Sequence, residues 1–212
     1  MNIRSILALT MLVTIFAGSV PDVTAATIDV GNFTLQPNSS RQEIQIFATG
    51  GEPVSALEFD IQIGDGGIAL GGDDSGPAIV SLDLITNTIF ASAGDASQTD
   101  VVQFPLARQS SVDVSGTVSA NGLIATVVLD TTSSRPGTYD LRLTDVAGGF
   151  NTTFFNSLGE PSSTEVRNGT ITVVPEACGY LPVLGMMALL FRFGLGVGPH
   201  RLSFGRSIVR SG

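Results

Sequence analysis

Few side chains in this 212-residue protein have the chemistry for catalysis or metal capture, and their types narrow the choice at once. There is one His, His200, and one Cys, Cys178, too few for a His/Cys zinc site or for a nucleophile paired with an imidazole base. Carboxylates are the abundant polar reagent. Asp65, Asp73 and Asp74 fall in the Gly-rich stretch GDGGIALGGDDSG, where oxygen ligands on a loop could hold Ca²⁺ in an extracellular setting. Their spacing fits neither an EF-hand loop nor a nonapeptide calcium repeat, so a solvated acidic loop is the competing reading. Beyond calcium, the residues call for no cofactor. Glu58 and Asp60 are the other acid pair. Glycoside hydrolysis needs two acids across a sugar, yet these two alternate along one strand, on the polar face where an amphipathic sheet carries charge anyway.

Aromatic chemistry is equally thin. Sugar-binding sandwiches stack pyranose rings on exposed aromatic faces, and there is no Trp. Tyr139 falls in register with Leu141 and Leu143, which predicts burial. The Phe residues at 33, 47, 59, 90, 104, 150, 154 and 155 read as core. All ten basic residues are Arg, and the net charge is −9, which argues against nucleic acid as a partner.

The elements that would position these residues are strands. Apolar and polar residues alternate in Glu43–Ile46, in Leu57–Ile63 and in Tyr139–Leu143. Leu123–Leu129 is apolar on both faces and predicts a central strand. An opening strand after Ala26, Val80–Leu84, Val102–Phe104, Phe154–Phe155 and Thr170–Val174 complete the set, with Pro105 marking its strand as an edge or a bulge. Gly50-Gly51, Asp65-Gly66-Gly67, Asn121-Gly122, Arg135-Pro136-Gly137 and Gly148-Gly149 supply turns. The pattern predicts an all-β fold, a jelly-roll or immunoglobulin-like β-sandwich of about nine strands. With a single Cys it must stand without an intrachain disulfide.

Both ends differ from this body. Arg4, an apolar run from Ser5 to Gly18, and small residues at Val23 and Ala25 have the layout of a secretory signal peptide cleaved between Ala25 and Ala26. Residues 177–191 are uncharged and apolar, and the tail beyond them holds Arg192, Arg201, Arg206 and Arg210 with no acid. Positive residues after an apolar helix predict a membrane segment with its tail in the cytoplasm and the body outside. The mean hydropathy of +0.35 therefore belongs partly to the ends. Residues 26–176 carry five Arg against twelve Asp and six Glu, a net −13.

Val174-Pro175-Glu176, followed by the apolar stretch and the Arg-bearing end, resembles a PEP-CTERM sorting signal, with Ala177 where the usual motif has a second Pro. The resemblance implies a bacterial protein processed by an exosortase-type membrane protease and delivered to the cell surface, outer envelope or extracellular matrix. The division that follows is 1–25 signal peptide, 26–173 sandwich, and 174–212 sorting and membrane segment. A second resemblance covers the body. The opening strand, Ala56–Ile63, Asn121–Val127 and Pro136-Gly137-Thr138-Tyr139, in that order, look like a cohesin domain, a nine-stranded jelly roll related to carbohydrate-binding modules. The expectation is an exported, non-enzymatic protein whose sandwich binds an extracellular protein or matrix. A carbohydrate-binding module acting on polysaccharide is the alternative, and a secreted glycoside hydrolase a distant third.

Overall fold

The computed structural model describes residues 25–73 and 75–176. Asp74, the expected signal segment up to residue 24 and the expected C-terminal membrane helix lie outside the described residues. No helix among the described residues is long and apolar enough to cross a membrane. The body forms a compact unit ending at Pro175.

The described residues form twelve strands: β1 (Ala26–Asp29), β2 (Asn32–Leu35), β3 (Gln42–Thr49), β4 (Val54–Ile63), β5 (Ala78–Asp83), β6 (Ser97–Phe104), β7 (Ala107–Val118), β8 (Gly122–Asp130), β9 (Gly137–Arg142), β10 (Thr153–Phe155), β11 (Thr164–Arg167) and β12 (Gly169–Val173). Five make one sheet in the order β11-β1-β3-β8-β5. Seven make the other, in the order β2-β12-β9-β4-β7-β6 with β10 also paired to β4. Short 3-10 turns at Ile68–Leu70 and Ile89–Ala93 are the only helical elements among the described residues. The all-β sandwich expected from alternation is present, and Leu123–Leu129 lies centrally, in β8 between β3 and β5.

Twelve strands replace about nine for three reasons. The opening strand breaks at Gly31 (φ +77°), and its halves join different sheets, β1 alongside β11 and β2 alongside β12, both parallel. The closing segment breaks at the same level, before Gly169. A Cβ on Gly169 would come within 1.7 Å of the Gly31 carbonyl oxygen, so only glycine lets the two crossing points touch. The third reason is β7, whose run ARQSSVDVSGTV hides its alternation by placing Ser110 at a core position. That hydroxyl is satisfied by donating to the Asp100 carboxylate.

The core joins both sheets. Phe59, Phe90 and Phe154 are fully buried with Ile28, Ile46, Leu57, Ile61, Ile124, Leu129 and Leu141. Burying each such side chain contributes about 1.5–3 kcal/mol. Tyr139 packs against this core half-buried, its hydroxyl held at 2.7 Å from the Arg135 carbonyl and 2.9 Å from that of Ser75.

One edge of β4 has a gap. β10 pairs Ala56, Leu57 and Glu58, and β9 pairs Gln62 and Ile63. Between them the Asp60 backbone faces no strand. Thr152 closes the gap: its Oγ1 accepts from the Asp60 N–H at 3.0 Å and donates to the Asp60 carbonyl at 3.0 Å. Thr152 is 2% exposed, and its own N–H donates to the Leu143 carbonyl at 2.8 Å. A Thr152→Val change keeps the shape and strands both Asp60 backbone groups. It should cost about 1–3 kcal/mol in a urea melt. The Asp60 amide should also lose hydrogen-exchange protection ahead of its neighbours in β7.

Candidate functional site

Alternation makes Glu58, Asp60 and Gln62 of β4 the outer, polar face of the larger sheet, with Gln109 of β7 opposite Asp60. The sequence predicts solvation there. Instead Asp60 is 2% exposed, Gln62 3% and Gln109 7%. Two segments cover them: the loop between Leu143 and Thr152, and the turn at Ile68–Leu70. Gln62 ties the first down, its Oε1 accepting from the Ala147 N–H at 2.7 Å while its Nε2 donates to the Gly64 carbonyl at 3.0 Å. Asn151 gathers the loop onto itself, its Oδ1 accepting from the Thr144 hydroxyl at 2.6 Å and the Asp145 N–H at 2.8 Å. Gly148 (φ +100°) lets the loop turn beneath the Phe150 ring, whose nearest carbon would lie 2.7 Å from a Cβ there.

The loop leaves a cavity of about 140 Å³ over β4, β6 and β7. Leu70, Val102, Phe104, Ala107, Val146 and Phe150 make its walls, and Asp60 lines it with Gln109. Phe104 and Phe150 remain half-exposed. Of the eight phenylalanines that read more as core than as platform, these two and Phe47, which stands 47% exposed on the other sheet, are the exceptions. Phe104 ends an edge strand just before Pro105, and Phe150 follows a Gly-Gly turn, so neither position has a second layer to cover it.

The electrostatics of the two acids diverge. The Glu58 Oε1 accepts from Gln109 Nε2 at 2.7 Å. The Asp60 Oδ2 is buried with no hydrogen-bond partner. Burial pushes the Asp60 carboxyl up to about 7, and the nearby Glu58 carboxylate adds to the rise. Asp100 on β6 goes the other way: the Ser110 hydroxyl holds it below the usual carboxylate range, with Gln98 and the Arg108 charge assisting. Only Asp60 of the 58/60 pair lines the cavity, so the two carboxylates do not flank a shared cleft of the kind glycoside hydrolysis uses.

The acidic loop is differently employed. The Asp65 Oδ1 accepts from the Gly67 N–H and its Oδ2 from the Asp73 N–H, both at 3.0 Å. Asp73 accepts from the Ser75 N–H at 2.9 Å, and bonding to Ser75 lowers its pKa. Both carboxylates are exposed and stitch the loop to itself; Asp74 lies outside the described residues. With Ser75, Tyr139 and Asp140 they line an open pocket of about 280 Å³. Among the described residues no three His, Cys, Asp or Glu side chains converge on a metal position. At the ends, Ala26 is buried at the first residue of β1, with its N–H on the Ser163 carbonyl, and Ala25 is half-buried. Val174 donates to the Leu35 carbonyl just past β12, and Pro175 and Glu176 are exposed.

The sign of the Asp60 effect is opposite to that of an ordinary paired carboxylate. Its folded pKa is above its unfolded value of 3.8, so the native state holds the extra proton between pH 4 and about 7. Stability therefore falls as pH rises through that window. Asp60→Asn removes the penalty. The variant should gain stability over the parent at pH 8 and little at pH 4.5, measured as urea midpoints at both.

No protein-family model and no curated protein matches the chain. Solved structures do. A cohesin module of a family 33 glycoside hydrolase from Clostridium perfringens shares 14% identity, over 73% of this chain and 98% of that one, with a TM-score of 0.52. The third cohesin of ScaC from Acetivibrio cellulolyticus, solved in complex with the ScaB dockerin, shares 18% over 71% and 99%, with a TM-score of 0.51. A non-cellulosomal cohesin from the hyperthermophilic archaeon Archaeoglobus fulgidus shares 12% over 75% and 98%, with a TM-score of 0.50. At these identities the likeness is one of fold, and the body has the jelly-roll sandwich of cohesins.

Proposed function

We propose that this is an exported, non-enzymatic binding protein whose sandwich docks a protein partner on the outer face of β4, β7 and β6. The observation that carries the reading is the built cavity on that face, with Phe104 and Phe150 half-exposed at an otherwise polar surface. Half-exposed aromatics beside desolvated pockets are where interfaces concentrate their binding energy. The cohesin likeness supports it, one of the similar structures being a cohesin held by a dockerin. The lone His and Cys, both outside the body, supply no nucleophile–base pair for turnover. The body's −13 charge suits a partner with a basic contact surface. Polysaccharide is the alternative ligand, and Phe47 on the opposite sheet is the aromatic that would favour it.

Export and sorting belong to the same reading. The fold opens at Ala26, where the signal peptide would be cut, and its last strand ends at Val173, one residue before Val174-Pro175-Glu176. An exosortase-type protease would act on that motif, with the membrane engaged through the segment that follows. Delivery would be to the cell surface, outer envelope or extracellular matrix.

Two experiments test this. A photo-crosslinking residue at Thr99 or Ser111, on the outer face, should capture a discrete protein in the organism that makes the chain. The same residue at Gln45, exposed on the other sheet, should not. Adducts carrying only glycan, or protein adducts at Gln45 alone, overturn the docking face. Mass spectrometry of the mature protein should find Ala26 at its start and a C-terminus well short of residue 212. A chain still ending at Gly212 sinks the sorting proposal.

A further inference from the structure

The cavity itself says what part of a partner it takes. Small-molecule sites run to about 300–1,000 Å³, and this one, at about 140 Å³, has room for a single side chain. Its walls are mostly apolar, Leu70, Val102, Phe104, Val146 and Phe150, with Arg108 and Gln109 of β7 also in the lining. Asp60 lines it, 98% buried, with an Oδ2 that no group in the protein satisfies. An unmet buried acceptor is costly, and a donor arriving from outside would remove that cost. The occupant must therefore be aliphatic along its length and a hydrogen-bond donor at its tip.

We infer that the cavity takes one lysine side chain of the partner protein, the alkyl stem against Phe104 and Phe150 and the ammonium on the Asp60 carboxylate. This rests on the protein-docking reading above and names the contact at its centre. A short hydroxyl side chain lacks the apolar length. Arginine has the length, but its planar fork carries five donors and wants paired acceptors. Among these walls the fork would leave most of its donors dry. Lysine is a point charge on a four-carbon stem, which matches one unpartnered carboxylate oxygen beside a mostly apolar cavity.

Charged groups around Asp60 are consistent with a cation site. On its own strand Glu58 adds negative potential. On β7, Arg108 also lines the cavity, but its Nη2 donates to the Ile79 and Val80 carbonyls at 3.2 and 2.9 Å, and its charge acts on Asp100. On β9, Arg142, paired in register with Gln62, is held by the Asp140 carboxylate at 2.7 Å. On β6, Asp100 is bonded to Ser110, Gln98 and Gln103. The turn at Ile68–Leu70 bears no charge, and the covering loop bears only the exposed Asp145. An ammonium arriving at Asp60 would draw its proton off. Binding should therefore tighten from pH 5.5 to pH 8 and level off above. The protein has no Lys anywhere, so no copy can fill another copy's cavity. The occupant has to come from a different protein.

The test uses the full chain and four immobilised peptides, identical except for a central Lys, Arg, norleucine or Nε-acetyl-lysine. Lys peptide should retain the protein about ten- to a hundredfold better than norleucine or acetyl-lysine, and more strongly at pH 8 than at pH 5.5. Asp60→Asn should abolish the preference for Lys over norleucine. Phe150→Ser should weaken retention on Lys and norleucine alike. Equal retention on Lys and norleucine, retention on Arg matching Lys, or an unchanged Lys preference in Asp60→Asn each overturns the inference. The last of these would be general attraction to an acidic surface. Failure here with protein still crosslinked at Ser111 removes the lysine site alone. Loss of crosslinking with Lys selectivity intact removes the docking reading instead.

Discussion

The larger sheet depends on one hydroxyl. β4 is hydrogen-bonded along one edge by β7, but its other edge is shared between β10 and β9, which leave Asp60 unpaired between them. A bare N–H and C=O at that depth would be intolerable, and Thr152 satisfies both at 3.0 Å. Because Thr152 sits at the end of the loop that begins at Leu143, the repair also fixes that loop across the outer face of the sheet. Burial of Gln62, the isolation of the Asp60 carboxyl and the walls of the cavity all follow from that placement. The cavity is thus a consequence of how the sheet closes its ladder.

The acidity of the body has two separate physical roles. Asp73, Asp83, Asp95 and Asp130 are held below the usual carboxylate range by neighbouring hydroxyl and backbone N–H donors. Asp83 accepts from the N–H groups of Ile85 and Thr86, and Asp130 from that of Thr132, so these acids turn the chain where strands end. Such bonds contribute above the unfolded pKa and are lost as pH falls through the lowered folded value. Asp60 runs the opposite way, contributing least when ionised. A sandwich without a disulfide keeps one acid in a state that weakens it at neutral pH, while its other acids organise turns. That contrast within a single residue type is what separates Asp60 from the background of negative charge.

Much of this fold can be read in the sequence because a sheet with one buried face writes period two into the chain. Glu43–Ile46 and Leu57–Ile63 occupy strands, and Tyr139–Leu143 does so up to Arg142, where β9 ends. β7 escaped because Ser110, at a core position, breaks the apolar register, and its partner Asp100 lies ten residues away on another strand. The candidate site is far less legible. Alternation places Asp60 on the outer face correctly, yet nothing in the sequence around it announces a covering loop about ninety residues later. The signal was in Gly148-Gly149-Phe150 and in Thr152, a turn and a hydroxyl whose meaning depends on what they land upon. Asp65 and Asp73, singled out from the sequence, are loop-forming carboxylates in the structure.

The two ends of the body are one structural problem. β1 and β2 run parallel to β11 and β12, so the first and last strands of the fold are neighbours in both sheets and cross between sheets at Gly31 and Gly169. Hydrogen bonding reaches Ala26 at one end, through Ser163, and Val174 at the other, through Leu35. A cut between Ala25 and Ala26 would leave the new amine still able to donate to the Ser163 carbonyl. At the far end Pro175 and Glu176 are exposed just past the last of these bonds. The two proposed cuts would therefore remove no residue of the ladder. The outer face of β4, β7 and β6 is built from strands that neither cut would touch, and its geometry would survive both.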